Sequence, residues 1–554
     1  MEVAAAVIVA ATLAAMTSGR IEPVLALVSG LVLAGLVGIA PADALFAGLA
    51  NAGVITVAGM LVIAEGVVAT GIVSRASWRL LAGVEGARQA FRRLAPPVAV
   101  ASSLMNTTPL VAMLIAATRE LEQTRRVPAR GVLLPIAHAT TLVGSVTLIG
   151  TSSNLVIAGI ASDRGVDMSM LSFAPVALPV ALAGWVVIYL TMTRLGSDAE
   201  ATAASPLREW RAEIPIGAPA LVDGHRAAEL GVAATDQFRL AEVRRDGGAP
   251  LAPDVSIAAG DLLVYEATEE GVRSLWRSPV FGIPAQRLYA ITVRTDEGGL
   301  LGGLEQDGSL RVIAARTDQA LHETAVLPGA TCYVTGVNAD AIAQHDAVGL
   351  WQAATSHAPQ PRKTLIALGV LACVVGAALA GLAPVELAAS GGAVVMVLTG
   401  VLTPRAAVRA LDLRTLFILA GSIGLGAIVV ESGLAGSIAD AIRSTSDGHP
   451  APALIVLAVT TALMTNFVTN GATASILTPV AIAVAGDLAI DPVTVLALIG
   501  TCVSFTFVNP ISHQTNLMVL SPGGYTQRTF ALYGVPLLAG ALVTACGVAY
   551  LLST

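Results

Sequence analysis

The sequence predicts an α-helical polytopic membrane protein: two inverted repeats, each with a re-entrant hairpin, about 10–11 transmembrane spans, and a cytoplasmic α+β insert. Three observations predict it. Hydrophobic residues make up 55% of the 554 and charged residues only 12%, with a mean hydropathy of +0.77, more apolar surface than a soluble domain needs. Apolar runs long enough to cross a bilayer recur along the chain. Segments of the first 200 residues also reappear near the C-terminus at an almost constant offset.

Taken in order, the apolar spans are 3–18, 21–40, 47–73, 130–162, 172–195, 364–382, 385–402, 415–436, 491–521 and 530–552. Met1-Glu2-Val3 lacks a basic leader, so the first run reads as a retained span rather than a signal peptide. Two further segments, 92–122 and 451–486, are apolar but broken midway by polar and helix-breaking residues. Alternating the loops puts Arg20, Arg75, Arg79, Arg88, Arg92, Arg93, Arg119, Arg125, Arg126, Arg130, Arg194, Arg362, Lys363, Arg405, Arg409, Arg414 and Arg528 on one side. The other side holds Arg164 and Arg443. That bias makes the first side cytoplasmic and the N-terminus external. It holds only if the two broken segments are hairpins, 92–122 entering from the cytoplasm and 451–486 from outside.

Residues 200–360 carry charge, turns and short alternating runs. Phe238–Arg244 and Leu262–Glu266 read as strands, Gly247-Gly248 as a turn, and Thr268–Trp276 as a helix. Ile257–Gly260 before one strand resembles Val326–Gly329 before another, so the insert is expected to have two similar lobes, about 206–283 and 284–358. The domain expectation is repeat 1 over 1–199, the insert over 200–360 and repeat 2 over 361–554. The net charge of −7 sits mostly in the insert, and no basic domain points to a nucleic acid polymer. Cys332, Cys373, Cys502 and Cys546 have no metal-pair spacing and read as free thiols.

The repeat is legible in three ordered blocks. Val57-Ala58-Gly59 matches Leu419-Ala420-Gly421, Val67–Gly71 matches Val429–Gly433, and Ile149–Leu155 matches Ile511–Leu517, each 362 positions on. Leu104–Pro109 matches Phe467–Ala472 at 363. One block would not exceed chance among Ala/Val/Gly-rich spans; several in order do. Inverted halves with broken helices are the architecture of secondary transporters.

Irregular polar backbone inside a membrane persists only where it lines a cavity or is buried in protein. Four such places occur: the tips Asn106-Thr107-Thr108-Pro109 and Thr469-Asn470-Gly471, and the interruptions Gly144–Asn154 and Asn509–Asn516. Ser102 and Thr465 stand one turn before the tips. Carbonyl, hydroxyl and amide oxygens are hard neutral ligands for sodium, and half-helix N-termini offer N–H groups to an anion. Small polar residues also pack helices together in membranes.

These four blocks resemble the divalent anion:sodium symporters, and most closely those carrying an insert of potassium-transport-regulator C-terminal (TrkA-C) domains. The matching residues are Met105–Pro109, Thr147–Asn154, Thr465–Ala472 and Gln514–Met518, with Leu230–Val232, Phe238–Asp246 and Gly260–Val264 in the insert. The resemblance implies one sodium among Ser102, Asn106, Thr107 and Gly150, and another among Thr465, Val468, Asn470, Ser512 and Gln514. It implies a small anion, sulfate or a dicarboxylate, near Thr107, Thr108, Thr151, Asn470, Gly471 and His513. It also implies an elevator-type mechanism in a homodimer of the cell membrane. For the insert it implies a small regulatory ligand, with a dimerisation or spacer role as the alternative. Thr107 and Gly471 depart from the family's tip motif.

His138 is a packing residue or a proton or ligand site, and Glu65 a structural pair or a titrating group. These keep a proton-coupled or exchange carrier open as the alternative; a ligand-gated channel or membrane sensor is the alternative of another class. No Ser-His-Asp set, nucleotide-binding lysine loop or zinc spacing suggests an enzyme.

Overall fold

The computed structural model describes the chain apart from residues 18–19, most of 71–85, most of 105–128, 193–209 (Leu195 excepted), 218–221, 236, 246–247, 282–287, 294–298, 306–307, 309, 326–329, most of 337–347, 354–360, 521 and 554. The chain divides into two compact units, residues 1–199 with 359–554, and residues 200–358.

The first unit is helical. Its N-terminal part holds α1 (Glu2–Thr17), α2 (Pro23–Leu36), α3 (Ala42–Phe46), α4 (Ala52–Ala69), α5 (Ala87–Leu104), α6 (Arg130–Gly144), α7 (Ser152–Ser162) and α8 (Ala174–Thr191). Among the described residues, the second unit carries the α-helix α9 (Glu269–Arg277). The C-terminal part of the first unit holds α10 (Pro361–Leu379), α11 (Val385–Leu398), α12 (Pro404–Ala410), α13 (Leu413–Glu431), α14 (Leu434–Thr445), α15 (Pro450–Phe467), α16 (Asn470–Asp487), α17 (Pro492–Val503), α18 (Gln514–Leu520) and α19 (Gln527–Ser553).

Local chemistry sets many of these boundaries. Pro23 opens α2 while the Glu22 carboxylate accepts from Val24 N at 2.6 Å and Leu25 N at 3.3 Å. Asp412 caps α13 at Thr415 N, 3.1 Å, and Asp491 caps α17 at Val493 N, 3.2 Å. Helix starts repeat between the parts. Val385, Pro404, Pro492 and Gln514 open helices 362 positions after Pro23, Ala42, Arg130 and Ser152, and Pro450 follows Ala87 by 363.

Among the described residues, six helices are long and apolar enough to cross a membrane: residues 42–69, which join α3, a short 3₁₀ turn and α4, with α8, α10, α13, α15 and α19. Five shorter apolar helices accompany them. One expected span needs correction, and two show the interruptions expected of them. The span 415–436 stops at Glu431, because Gly433 takes φ 84° and the chain restarts as α14. Spans 130–162 and 491–521 are interrupted as expected, at 145–151 between α6 and α7 and at 504–513 between α17 and α18, the second break starting earlier than Asn509. The short helices α3 and α12 went unnoticed because each is under two turns.

The second unit is one seven-stranded antiparallel sheet, β1 (Trp210–Pro215), β2 (Phe238–Arg244), β3 (Leu262–Ala267), β4 (Leu288–Val293), β5 (Leu310–Ala315), β6 (Thr331–Gly336) and β7 (Val348–Ala353), in the order β2-β3-β1-β5-β6-β4-β7. The first three strands run 2-3-1 and the next three repeat that order as 5-6-4. β1 joins β5 through Arg211↔Ala315 and Ala212↔Ala314, so the two expected lobes share a single sheet. β2 takes the range the sequence predicts, and Thr268 caps α9 by accepting from Gly271 N at 3.0 Å. The second-lobe segment Val326–Gly329 lies outside the described residues.

Candidate ion and anion site

α15 stops at Phe467. Val468 is extended (φ −121°, ψ 159°), and Thr469 caps α16, its hydroxyl accepting from Ala472 N at 3.4 Å. The helix is therefore broken at Val468-Thr469, and the last two residues of the expected tip, Asn470 and Gly471, open α16. The first tip, with Asn106, Thr107 and Thr108, lies outside the described residues.

Thr465 is completely buried, and its one hydroxyl proton has two acceptors in reach: Val503 O at 2.6 Å and Asn470 Oδ1 at 3.0 Å. The nearer carbonyl takes the proton. The Thr465 and Asn470 oxygens then face each other with no proton between them. An amide turned to present Nδ2 relieves that, and so does a shared cation.

The chain after α17 wraps this break. Asn466 donates from Nδ2 to Ala462 O (2.7 Å) and Phe505 O (2.8 Å), and its Oδ1 accepts from Val508 N (3.3 Å). Asn509 Nδ2 donates to Asn466 O at 2.9 Å, and Ser512 Oγ to Asn509 O at 2.5 Å. Asn516 Nδ2 donates to Thr506 O at 2.5 Å. His513 Nδ1 accepts from Thr515 N (3.2 Å) and lies 2.6 Å from Thr515 Oγ1, which puts the ring proton on Nε2 in the neutral form. Gln514 begins α18 and is exposed.

The first half repeats the scheme. Ser102 Oγ donates to Thr140 O at 2.8 Å, the same bond as Thr465 to Val503 with both partners 363 positions earlier. Thr147 Oγ1 donates to Ser103 O, as Asn509 does to Asn466 O. Asn154 Nδ2 donates to Ser145 O and Thr147 O, both 2.9 Å, as Asn516 does to Thr506 O. Gly150 donates to Thr147 Oγ1 at 3.1 Å, and a Cβ there would strike Gly144 O at 2.3 Å, so only glycine fits. Thr151, before α7, pairs with Ser153 Oγ at 3.1 Å.

Thus Ser102 and Gly150 come together in one half and Thr465 and Asn470 in the other, with Val468 between these two in the chain and Ser512 bonded to Asn509 O and Thr506 O. The sequence reading did not single out Asn154, Asn466 and Asn516 as the side chains that hold the irregular carbonyls. The signal was present: Asn154 and Asn516 stand 362 apart, each in the first turn of a helix. His138 is completely buried against the rings of Phe507 (5.2 Å), Phe530 (6.0 Å) and Tyr533 (5.9 Å), and neither ring nitrogen has a hydrogen-bond partner. Among the described residues, no group of three His, Cys, Asp or Glu could hold a metal ion.

A family model described as CitMHS, citrate transporter, matches residues 7–503 and also 392–553. The chain belongs to the citrate transporter family. This family member is 26% identical over 483 residues to an uncharacterized transporter of Synechocystis, covering 79% of each chain. It is 24% identical over 493 residues to a putative sulfur deprivation response regulator of Chlamydomonas reinhardtii, covering 81% of this chain and 84% of the other. A probable sodium/sulfate cotransporter 3 of the same alga is 38% identical over 208 residues, 35% of this chain and 23% of that one. The chain is thus a membrane transporter with sodium/sulfate cotransporters among its relatives.

Proposed function

We propose that this citrate transporter family member carries a small divalent anion, sulfate or a dicarboxylate, into the cell together with sodium. The observation that carries this is the oxygen pair of Thr465 and Asn470, 3.0 Å apart beside a helix break and bonded like its counterpart at Ser102. Sodium coordinated there removes the repulsion that the Thr465 proton leaves unrelieved. Val468 and Ser512 add backbone and hydroxyl oxygens, with Gln514 near the rim. Asn106, Thr107 and Gly150 complete the matching site in the first half. The anion sits between the tips, at Thr107, Thr108, Thr151, Asn470 and Gly471, and His513 offers Nε2–H. The names of the sodium/sulfate cotransporters among the relatives favour sulfate over citrate.

In this proposal the two parts are inverted repeats, 92–122 and 451–486 are opposed re-entrant hairpins, and the hairpin-bearing body shifts as an elevator within a homodimer. The N-terminus faces outside. The cytoplasmic insert is a pair of TrkA-C-like lobes that takes a regulatory ligand or serves as a spacer. The test is uptake by proteoliposomes of labelled sulfate, succinate and citrate, with an inward gradient of sodium or of choline. Sodium should drive at least one anion; indifference of all three to sodium overturns the coupling. The buried, unpartnered imidazole of His138 favours a second reading, proton coupling, for which a pH gradient alone would drive uptake.

A further inference from the structure

α13 and α16 cross through their smallest residues. A Cβ built on Gly426 would lie 2.7 Å from Ser475 O, and one built on Gly471 would lie 3.7 Å from Ser422 Oγ. Gly471 is the second residue of α16, and a helical Cβ leans toward the helix N-terminus. The Ser422 hydroxyl therefore stands beside the open end of α16.

That hydroxyl is completely buried and has no hydrogen-bond partner. Three helical hydroxyls nearby donate to the carbonyl four residues back, Thr461 to Leu457 O at 2.7 Å, Ser475 to Gly471 O at 2.9 Å and Thr478 to Ala474 O at 2.6 Å, whereas the buried Thr473 Oγ1 in the first turn of α16 is, like Ser422, without a partner. Ser422 leaves Ile418 O alone. The amide N–H groups of Asn470 and Gly471 also meet no acceptor among the described residues, since Thr469 Oγ1 takes Ala472 N. Buried donors without acceptors are costly and rare in native proteins. The buried Ser422 hydroxyl and Gly471 amide, with the amide of the half-buried Asn470, gather at the positive end of an 18-residue helix. What they lack in common is an acceptor from solution.

We infer that Ser422 is a substrate ligand, donating its hydroxyl to an oxygen of the transported oxyanion while the first amides of α16 hold the same anion. This rests on the proposed anion transport but adds a contact from outside the broken segments. Selectivity among oxyanions then depends on α13 as well as on the tips.

The test compares wild type with Ser422→Ala and Ser422→Thr in the full chain. Labelled sulfate uptake is measured against sulfate and against sodium concentration, and melting of the purified protein with and without sulfate. Ser422→Ala should raise the KM for sulfate about tenfold or more, the loss of a hydrogen bond to a charged group. The maximal rate and the sodium dependence should stay as in wild type. Sulfate-free Ser422→Ala should melt no lower than wild type, because it sheds an unpartnered hydroxyl, and its sulfate-induced stabilisation should shrink. Ser422→Thr should restore sulfate affinity. An unchanged KM in Ser422→Ala overturns the inference. So does a lower sulfate-free melting temperature, which marks a packing role. Sulfate uptake that ignores sodium defeats only the coupling, because sulfate binding is read separately by melting; wild type neither stabilised nor crossed by sulfate overturns the inference, and the same failure with succinate and citrate overturns the proposed transport as well.

Discussion

Asn154 uses both of its amide protons on the carbonyls of Ser145 and Thr147, inside the irregular stretch between α6 and α7. Asn154→Asp keeps the shape but removes both protons and sets a buried carboxylate against two carbonyl oxygens. It should destabilise the protein by about 3 kcal/mol or more, read as a lower melting temperature in detergent. A wild-type melting curve would mean that the break holds itself. The sequence shows an Asn opening a helix; which carbonyls it saturates depends on how 145–151 folds back, and that is a tertiary fact. His138 is the opposite case. Sequence alone left it between packing and chemistry, and its aromatic box explains a packing role without explaining the imidazole. His138→Phe fills the same box without orphaned nitrogens. With sodium as the coupling ion, the variant should keep sodium-driven uptake and melt no lower than wild type. Lost uptake in a folded variant would move the histidine into the coupling chemistry.

At the scale of single elements, the sequence is most informative where one face of a strand or one cap decides the outcome. β2 and the cap of α9 follow from alternation and from Thr268. The union of the lobes through β1 and β5 does not, because it depends on which edges meet. The turn into β3 shows how polar contacts fix such an element. Asp261 is buried and takes two bonds from Arg245, both 2.8 Å, and one from Ala258 N at 2.8 Å. The bonded Arg245 guanidinium holds its carboxyl below the usual range, against the opposing effect of burial. A depressed carboxylate stabilises the fold fully above its unfolded value, near pH 4, and loses that contribution as pH falls through the lower folded value. Unfolding of the isolated insert, followed by circular dichroism, should steepen below about pH 4. Asp261→Asn should be less stable at neutral pH by about 2 kcal/mol and should lose that acid-dependent limb. An unchanged acid limb in this variant would assign the pH dependence to other groups.

Across the whole molecule, the halves resemble each other in more than sequence. Helix starts, buried hydroxyls and asparagines recur 362 or 363 positions apart, and the offset was readable because insertions within each half are balanced. What could not be read is where equivalent elements diverge, as at His138, whose counterpart 362 positions on is Gly500. The insert stands outside this symmetry, and its apolar packing stands apart too. Two hydrophobic clusters draw only on residues between Trp210 and Val348. The others draw only on the membrane helices and their connections, from Ala5 to Leu195 and from Ala367 to Ala549. Among the described residues each cluster draws on one unit alone, so the helical unit's clusters are complete without residues 200–358. Replacing that stretch with flexible Gly/Ser linkers of several lengths should leave a protein that inserts, melts within a few degrees of wild type and still takes up the anion under a sodium gradient. A spacer role predicts unchanged rates. A regulatory role predicts altered rates or a lost response to cytoplasmic ligands, with melting intact. Failure to fold at every linker length would show that the helical unit depends on the insert and would refute their independence.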